Sequence, residues 1–303
     1  MTEIDNLNAR FGLSGELVFR EGEGGLLYAA IDNGDGSAEI CLQGGHVLSW
    51  HPRSQKEPVI WLSEGAKFAP GQSIRGGVPV CWPWFGPHDA DVAYPAHGFV
   101  RTAPWQVSHS GQTPDGATEI TMHPLITDSM AALWPYRTAL SLRVAVGKTL
   151  KMEMTTVNRD ERAVVVGEAL HTYFRVGDIA ETRVHGLDGV EYLDKLQGYA
   201  RLRQTGAVGF TAETDRVYVN TDSQCAIEDP ILARRVAIAK SGSLSTVVWN
   251  PWDVRAAQMG DLGAQGWRRM VCVESANAQD NRVTIEPGGE HTLAVEYCVE
   301  PLA

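Results

Sequence analysis

Residues 139–156 read ALSLRVAVGKTLKMEMTT, and they are the clearest structural signal in the chain. Apolar and polar side chains alternate on both sides of a central Gly147-Lys148 pair. Two such runs, each with a period of two residues and joined by a short turn, predict a β-hairpin with one buried face. The apolar positions of the two runs are Leu140, Leu142, Val144, Val146, Leu150, Met152 and Met154.

The same alternation recurs along most of the chain. Further strands are expected at residues 38–42, 47–50, 119–122, 163–174, 216–220, 235–239, 245–249, 270–274 and 291–297. Helical periodicity is confined to one short stretch, residues 129–133, which argues against a doubly wound α/β sheet. The sequence therefore predicts an all-β protein, a single large antiparallel sandwich over residues 1–303 with very little helix. We expect roughly the first 30 residues to pack as an irregular lead-in.

Composition limits what the protein binds and where it works. The chain has 303 residues, of which 44% are hydrophobic and 21% charged, which is ordinary for a globular protein with a sizeable core. Its formal net charge of −11 argues against binding nucleic acid or an anionic membrane. Five scattered cysteines without a C-x-x-C pair predict reduced thiols rather than a disulfide framework. With no signal-peptide pattern and no membrane span visible, a cytoplasmic location is expected.

The most unusual composition lies between residues 72 and 101, which include QSIRGGVPVCWPWFGP and YPAHGFVR. This segment carries Arg75, His97 and Arg101 among several aromatic residues. Such a mixture suits a phosphorylated sugar, because sugar C–H faces pack on indole, guanidinium groups hold phosphate, and imidazole moves protons. Either arginine could instead form a surface salt bridge. Gly76 and Gly77 favour a site role for Arg75, because glycines let the backbone approach a ligand closely.

Two further segments place a titratable group among apolar residues. VVVGEALHTYFRVGD, residues 164–178, contains His171, and MVCVESANAQDNRVTIEPG, residues 270–288, contains Glu274. Taken singly, each is more readily explained as structural, a satisfied core histidine or an ordinary charge at a strand end. On separate strands of one sheet, the two could flank a small ligand and move protons at both of its ends.

Several common catalytic patterns do not occur in the sequence. There is no G-x-G-x-x-G after a strand, no H-E-x-x-H and no G-x-S-x-G, so the sequence does not support a catalytic metal. Gly147-Lys148 resembles the end of a phosphate-binding loop, but Leu142 stands where that motif needs a glycine. Asp215, in AETDRVYVN, is either a turn or cap residue or a contact to sugar hydroxyls.

Seven segments in order resemble the hexose-phosphate mutarotases, the glucose-6-phosphate 1-epimerase branch of the aldose 1-epimerase superfamily. They are IRGGVPVCWPWFGP, AHGFVR, EALHTYFRVGD, GLDGVEYLDK, ETDRVY, VWNPW and MVCVESANA. The resemblance implies a galactose-mutarotase-like β-supersandwich without a cofactor. It implies an isomerase that interconverts the α and β anomers of hexose 6-phosphates, glucose 6-phosphate foremost. Since nothing in the sequence marks an interface, we expect a monomer whose partner is the small sugar phosphate.

The resemblance also implies roles for individual residues. His171 matches the family's catalytic histidine and Glu274 its catalytic glutamate. Four more match residues that contact the sugar or its phosphate: Arg75, His97, Arg101 and Asp215. The two arginines would hold the phosphate. Two positions depart from the pattern: Ala96, where some members have a substrate-contacting glutamine, and Ser275, where many have proline or threonine.

In the implied reaction, Glu274 takes the proton of the anomeric hydroxyl while a protonated His171 gives one to the ring oxygen. The ring opens, the C1–C2 bond rotates, and closure on the other face yields the other anomer. Three alternatives stay open: a mutarotase for unphosphorylated aldoses, a non-catalytic carbohydrate-binding or regulatory protein, and a lyase or hydrolase on a similar sandwich. A hydrolase is expected to use two carboxylates, and Glu274 is the one strong candidate.

Overall fold

The computed structural model describes residues 1–89, 91 and 93–302. Its α-helices within these ranges are α1 (Glu3–Phe11), α2 (Asp128–Leu133) and α3 (Trp252–Ala257). Its strands are β1 (Leu17–Glu21), β2 (Leu27–Asp32), β3 (Gly36–Cys41), β4 (His46–Pro52), β5 (Val80–Cys81), β6 (Trp105–Gln112), β7 (Thr118–Pro124), β8 (Thr138–Val146), β9 (Leu150–Asn158), β10 (Val164–Val166), β11 (Glu168–Leu170), β12 (Tyr173–Arg175), β13 (Arg183–His185), β14 (Glu191–Asp194), β15 (Ala200–Arg203), β16 (Thr214–Tyr218), β17 (Cys225–Asp229), β18 (Arg234–Ser241), β19 (Ser245–Asn250), β20 (Met270–Asn277), β21 (Val283–Ile285) and β22 (Glu290–Pro301).

Two eight-stranded sheets make up most of the molecule. One has the order β13-β17-β18-β22-β9-β8-β7-β6, and the other, here called the site sheet, runs β15-β14-β16-β19-β20-β11-β5 with β12 also paired to β20. Strands β1 to β4 form a third sheet, and β10 pairs with β21. The hairpin expected from residues 139–156 is β8 and β9, with Leu142 opposite Met154. The all-β, antiparallel prediction is confirmed.

The main core lies between the two large sheets. Alternate residues of a strand point to opposite faces, so β20 sends Val271 and Val273 into this core. There they join side chains of the opposite sheet such as Leu293 and Val295. Fully burying a large aliphatic side chain stabilises the fold by about 1.5–3 kcal/mol. The intervening β20 residues, Glu274 among them, must therefore face the other side of the site sheet.

The first 30 residues differ from the expected irregular lead-in, which is wrong. They form α1, β1 and β2, and β2 pairs with β3 in a regular antiparallel ladder. Helix α1 begins with a capping box in which the Thr2 side chain accepts a hydrogen bond from the Asp5 backbone N–H. Ile4, Leu7 and Phe11 form a short apolar stripe on α1, and Leu7 and Phe11 pack against the main core, so helical periodicity is present at Glu3–Phe11 although no residue of α1 is fully buried.

Two other expectations agree with the structure. Helix α2 covers the one helical stretch expected at residues 129–133. All five cysteines are free thiols, as the absence of paired spacing indicates. No described helix combines the length and apolar character that crossing a bilayer requires.

Candidate functional site

One face of the site sheet gathers polar and aromatic side chains through its strand register. Asp215 of β16 lies opposite Trp249 of β19, and Val247 of β19 lies opposite Glu274 of β20. Directly opposed residues share a face of an antiparallel sheet, as do residues two apart on one strand. All four side chains therefore point away from the main core and into a common space.

His171 joins this face because the chain leaves the regular ladder where the sequence suggested one continuous strand over residues 163–174. The expected strand is divided into β10, β11 and β12. Leu170 is still paired with Ser275, so the next position on each strand is His171 and Glu274. The His171 N–H donates to Pro79 O at 3.0 Å, outside the β20 ladder. His171 Nδ1 lies 3.4 Å from Glu274 Oε1.

Aromatic neighbours hold the imidazole of His171 in place. The Tyr173 ring stacks on it with centroids 5.0 Å apart and planes 7° from parallel. Trp249 and His97 meet it edge-on at 6.2 Å and 5.7 Å. These contacts restrict rotation of the ring and so maintain its approach to Glu274.

This face opens into a cavity of about 450 Å³, within the range of small-molecule sites. Five of the six predicted site residues line it: Arg75, His97, His171, Asp215 and Glu274. The sixth, Arg101, is not part of the lining, and its Nη2 donates to Ala96 O at 2.9 Å. Its positive charge still contributes to lowering the pKa values of His97 and His171.

Arg75 is held on two sides and faces the cavity with the rest of its guanidinium. Nε donates to Asp261 Oδ1 at 3.1 Å, and Nη1 donates to Tyr173 Oη at 2.9 Å. Nη2 has no hydrogen-bond partner within residues 1–89, 91 and 93–302. The guanidinium is thus oriented by the protein and retains donors for an anion.

The glycines beside Arg75 have a different purpose from the one expected. Gly76 has φ +101°, and a Cβ there would lie 2.7 Å from Trp61 O. A Cβ on Gly77 would lie 2.4 Å from His46 Nε2. At both positions, other protein atoms occupy the space that a side chain would need. We expected these glycines to let the backbone approach a ligand, and that explanation is wrong.

Burial controls the protonation of the His171–Glu274 pair. It raises the pKa of Glu274 well above the ordinary value, against a lowering effect of Lys195 and with a raising effect of Asp215. Burial, followed by the neighbouring His97 and the charges of Arg75 and Arg101, lowers the pKa of His171 well below the ordinary value. The protein environment alone therefore favours a neutral imidazole and a protonated Glu274. The mechanism expected from the sequence starts from the opposite arrangement, with a protonated His171 and an ionised Glu274. The pair holds one proton in either arrangement.

Three buried atoms of the site have no hydrogen-bond partner within the described part of the chain: His171 Nδ1, Glu274 Oε2 and Asp215 Oδ1. Unsatisfied buried polar atoms are costly, typically about 1–3 kcal/mol each. Three such unsatisfied atoms along one cavity wall indicate side chains that hydrogen-bond to a polar ligand when it binds.

His97 is a neutral group in this site. Burial, followed by the charge of Arg101, lowers its pKa to about 3. Its Nδ1 accepts a hydrogen bond of 3.4 Å from the Gly86 N–H. His97 is therefore suited to contact a sugar and to pack against His171, and unsuited to supply a proton near neutral pH.

The sequence interpretation missed Lys195. Its Nζ lies 2.6 Å from Asp215 Oδ2, and both side chains line the cavity. Lys195 follows β14 in a short turn in which Asp194 accepts a hydrogen bond from the Leu196 N–H. The segment GLDGVEYLDK ends at this lysine, but neither residue type nor period showed that it would meet Asp215. Other lining residues without an expected role are Phe85, Tyr173, Glu213, Val247, Trp249, Arg255 and Met259.

Comparison with known proteins gives consistent results. A sequence model of the aldose 1-epimerase family matches residues 28–298. A protein of Escherichia coli with the provisional name glucose-6-phosphate 1-epimerase is 38% identical over 253 residues, 83% of each chain. One of Cenchrus ciliaris with the same provisional name is 36% identical over 264 residues, 84% of this chain and 78% of the other.

Solved structures agree with the sequence matches. The crystal structure of a provisionally named mutarotase, YeaD, from Salmonella typhimurium superimposes with a TM-score of 0.88 at 32% identity, covering 99% of this chain and 100% of the other. A galactose mutarotase-like protein from Lactobacillus casei gives a TM-score of 0.70 at 15% identity, covering 90% of this chain and 100% of the other. The second likeness concerns the fold alone, and it confirms the expected galactose-mutarotase-like sandwich.

Proposed function

Because this chain belongs to the aldose 1-epimerase family, we propose that its cavity interconverts the α and β anomers of hexose 6-phosphates, glucose 6-phosphate foremost, through His171 and Glu274. The protein is an isomerase that acts on sugars. The observation that carries the proposed chemistry is the buried His171–Glu274 pair, 3.4 Å apart in a cavity of about 450 Å³.

The short separation of the pair suits ring opening. The reaction removes a proton from the anomeric hydroxyl and adds one to the ring oxygen, and both oxygens are bonded to the same carbon. An acid and a base that lie side by side can therefore serve adjacent atoms. This differs from the expectation that they would act at opposite ends of a ligand. Each well-placed acid or base contributes about 10²- to 10⁴-fold.

Substrate binding brings the pair toward the state that the reaction needs. Positive charges at Arg75 and Arg101 help to lower the pKa of His171. A phosphate dianion bound near Arg75 offsets that charge, so the proton affinity of His171 rises. The proton held by Glu274 then passes more easily to His171, which leaves Glu274 as the base and His171 as the acid.

Arg75 is the strongest candidate for the phosphate contact, since its guanidinium lines the cavity and is already oriented by Asp261 and Tyr173. Lys195 is a second cation in the same wall. Arg101, outside the lining, acts on the site through its charge. Asp215 faces the cavity with an unpartnered oxygen suited to a sugar hydroxyl.

The net charge of −11 supports a small-molecule partner rather than nucleic acid or an anionic membrane. Free buried thiols are typical of a reducing compartment, so the proposed location is the cytoplasm. We keep the monomer as the proposed state of assembly.

Exchange spectroscopy tests the function directly. Magnetisation transfer between the α and β anomeric protons of glucose 6-phosphate is measured at equilibrium with and without the protein, beside glucose and galactose. The proposal requires a catalysed rate that is largest for glucose 6-phosphate. Acceleration for galactose alone would identify the free-sugar alternative, and binding without acceleration would identify a carbohydrate-binding protein.

A further inference from the structure

A cysteine lies directly beneath the proposed catalytic pair. Cys272 is two residues before Glu274 on β20, so both side chains point to the same face of the site sheet. One ligand atom each from His171, Cys272 and Glu274 lie within 4.8 Å of one another. The thiol is fully buried, and the proposed proton transfer does not use it.

These three atoms are close to the arrangement that binds zinc. Zinc bonds of about 2.0–2.2 Å to nitrogen or oxygen and about 2.3 Å to sulfur place tetrahedral ligands about 3.3–3.6 Å apart. The separation of His171 Nδ1 and Glu274 Oε1 is 3.4 Å, already within that range. All three ligand atoms lie within 4.8 Å of one another, so the sulfur has to approach by about 1.2 Å at most.

The ligand atoms are also available. His171 Nδ1, which lies 3.4 Å from Glu274 Oε1, is buried without a hydrogen-bond partner in residues 1–89, 91 and 93–302. The second carboxylate oxygen, Glu274 Oε2, is likewise buried and without a partner there, and Glu274 is 1% exposed. Both residues line the cavity, which gives an ion a route from solvent. A neutral imidazole, a thiolate and a carboxylate together balance the charge of a divalent ion, and the cavity leaves a fourth position for water.

We propose that His171, Cys272 and Glu274 form an inhibitory site for a thiophilic divalent cation such as Zn²⁺. The ion binds in place of the thiol proton of Cys272 and the proton of Glu274, both of which pass to solvent. It occupies the imidazole and the carboxylate, so the proposed acid–base pair cannot act while it is bound. Hard cations such as Mg²⁺ prefer oxygen ligands and are excluded by the sulfur and nitrogen.

Binding of the ion alone provides the first test and needs no catalytic activity. Untagged protein is freed of metal with a chelator, the chelator is removed, and Co²⁺ is titrated while the absorption spectrum is recorded. We expect one equivalent to produce a thiolate-to-cobalt charge-transfer band and tetrahedral visible bands, which Zn²⁺ then abolishes by displacement. Absence of the thiolate band would overturn the proposal whatever the protein does to sugars.

Matched cysteine variants give the second test. Cys272→Ser should lose the thiolate–cobalt band and weaken Zn²⁺ binding by at least about tenfold, because a hydroxyl is a poor ligand for this ion. Cys225→Ser, a change at another buried free cysteine outside the cavity lining, should bind like the unsubstituted chain. Equal Zn²⁺ affinity of the unsubstituted chain and Cys272→Ser, or loss of the band in Cys225→Ser, would refute the assignment.

Inhibition is measured relative to each protein's own metal-free exchange rate. Zn²⁺ should slow the exchange, a chelator should restore it, and added sugar phosphate should compete with the ion. If the protein binds zinc through Cys272 but accelerates no exchange even without metal, the metal site stands and the proposed function fails. Fast exchange at saturating Zn²⁺ would refute the inhibitory role.

Discussion

Replacing Arg75 with alanine tests how the proposed substrate is recognised. Nε and Nη1 of Arg75 are committed to Asp261 and Tyr173, so Nη2 is the nitrogen most available to a phosphate oxygen. One charge-assisted hydrogen bond contributes about 1.5–3 kcal/mol. At about 1.4 kcal/mol per factor of ten, Arg75→Ala should lower kcat/KM for glucose 6-phosphate by about 10- to 150-fold through this contact alone.

Arg75→Ala also disturbs the structure of the site, and a second substrate without phosphate separates this effect from the loss of the phosphate contact. Alanine leaves Asp261 Oδ1 and Tyr173 Oη without their guanidinium donor, and that loss affects all sugars alike. The informative quantity is therefore the ratio of kcat/KM for glucose 6-phosphate to kcat/KM for glucose, measured by anomer exchange. The ratio should fall by the full factor of about 10 to 150.

A matched arginine provides the control. Arg268 donates to Asp178 Oδ2 at 2.6 Å, is exposed, and does not line the cavity. Arg268→Ala should leave the ratio unchanged. Equal losses for both sugars in Arg75→Ala would remove Arg75 from phosphate recognition and would shift attention to Lys195.

Three further expectations follow from the site and its supports. Lys195→Met removes a positive charge that lowers the pKa of Glu274. The high-pH limb of the kcat/KM profile for glucose 6-phosphate should therefore move to higher pH when it is recorded with chelator present. A limb that stays in place or moves to lower pH would contradict this expectation. Glu274→Gln should raise the free energy of urea unfolding at pH 8 relative to the unsubstituted chain. Because the pKa of Glu274 is raised in the folded state, the unfolded chain releases this proton first. The stability of the unsubstituted chain therefore falls by about 1.4 kcal/mol per pH unit from the unfolded pKa near 4.3 up to the folded pKa. A gain that does not grow above pH 5 would contradict this expectation. Gly98→Ala should cost more than about 2 kcal/mol of stability, because the added Cβ would lie 1.8 Å from Trp82 O. Gly116 also has a positive φ but faces open space, so Gly116→Ala should cost only about 1–2 kcal/mol. Similar losses of stability in the two variants would refute the steric argument.

Local pattern was sufficient for most of the fold. The alternation around Gly147 predicts the β8–β9 hairpin, whose observed register places Leu142 against Met154. Local pattern was insufficient at helix α1, whose apolar stripe consists of only three half-buried residues, Ile4, Leu7 and Phe11, on a short helix.

The site depended on register between strands distant in sequence. His171 and Glu274 meet because Leu170 pairs with Ser275, a relation that no spacing along the chain contains. The resemblance to a family named both residues but did not show that they would lie in contact. Lys195 stayed without a role for the same reason, since its partner Asp215 is supplied by another strand.

The central claim is that His171 and Glu274 act as one proton-transfer pair on the anomeric centre. The most direct measurement is the anomer-exchange rate of glucose 6-phosphate with His171→Asn, Glu274→Gln and the double variant, in metal-free buffer. Each single change should remove about 10²-fold or more, and the double variant should be little slower than either, because a pair that works as a unit is lost with its first member. Full activity in either single variant, or losses that multiply in the double variant, would contradict the account.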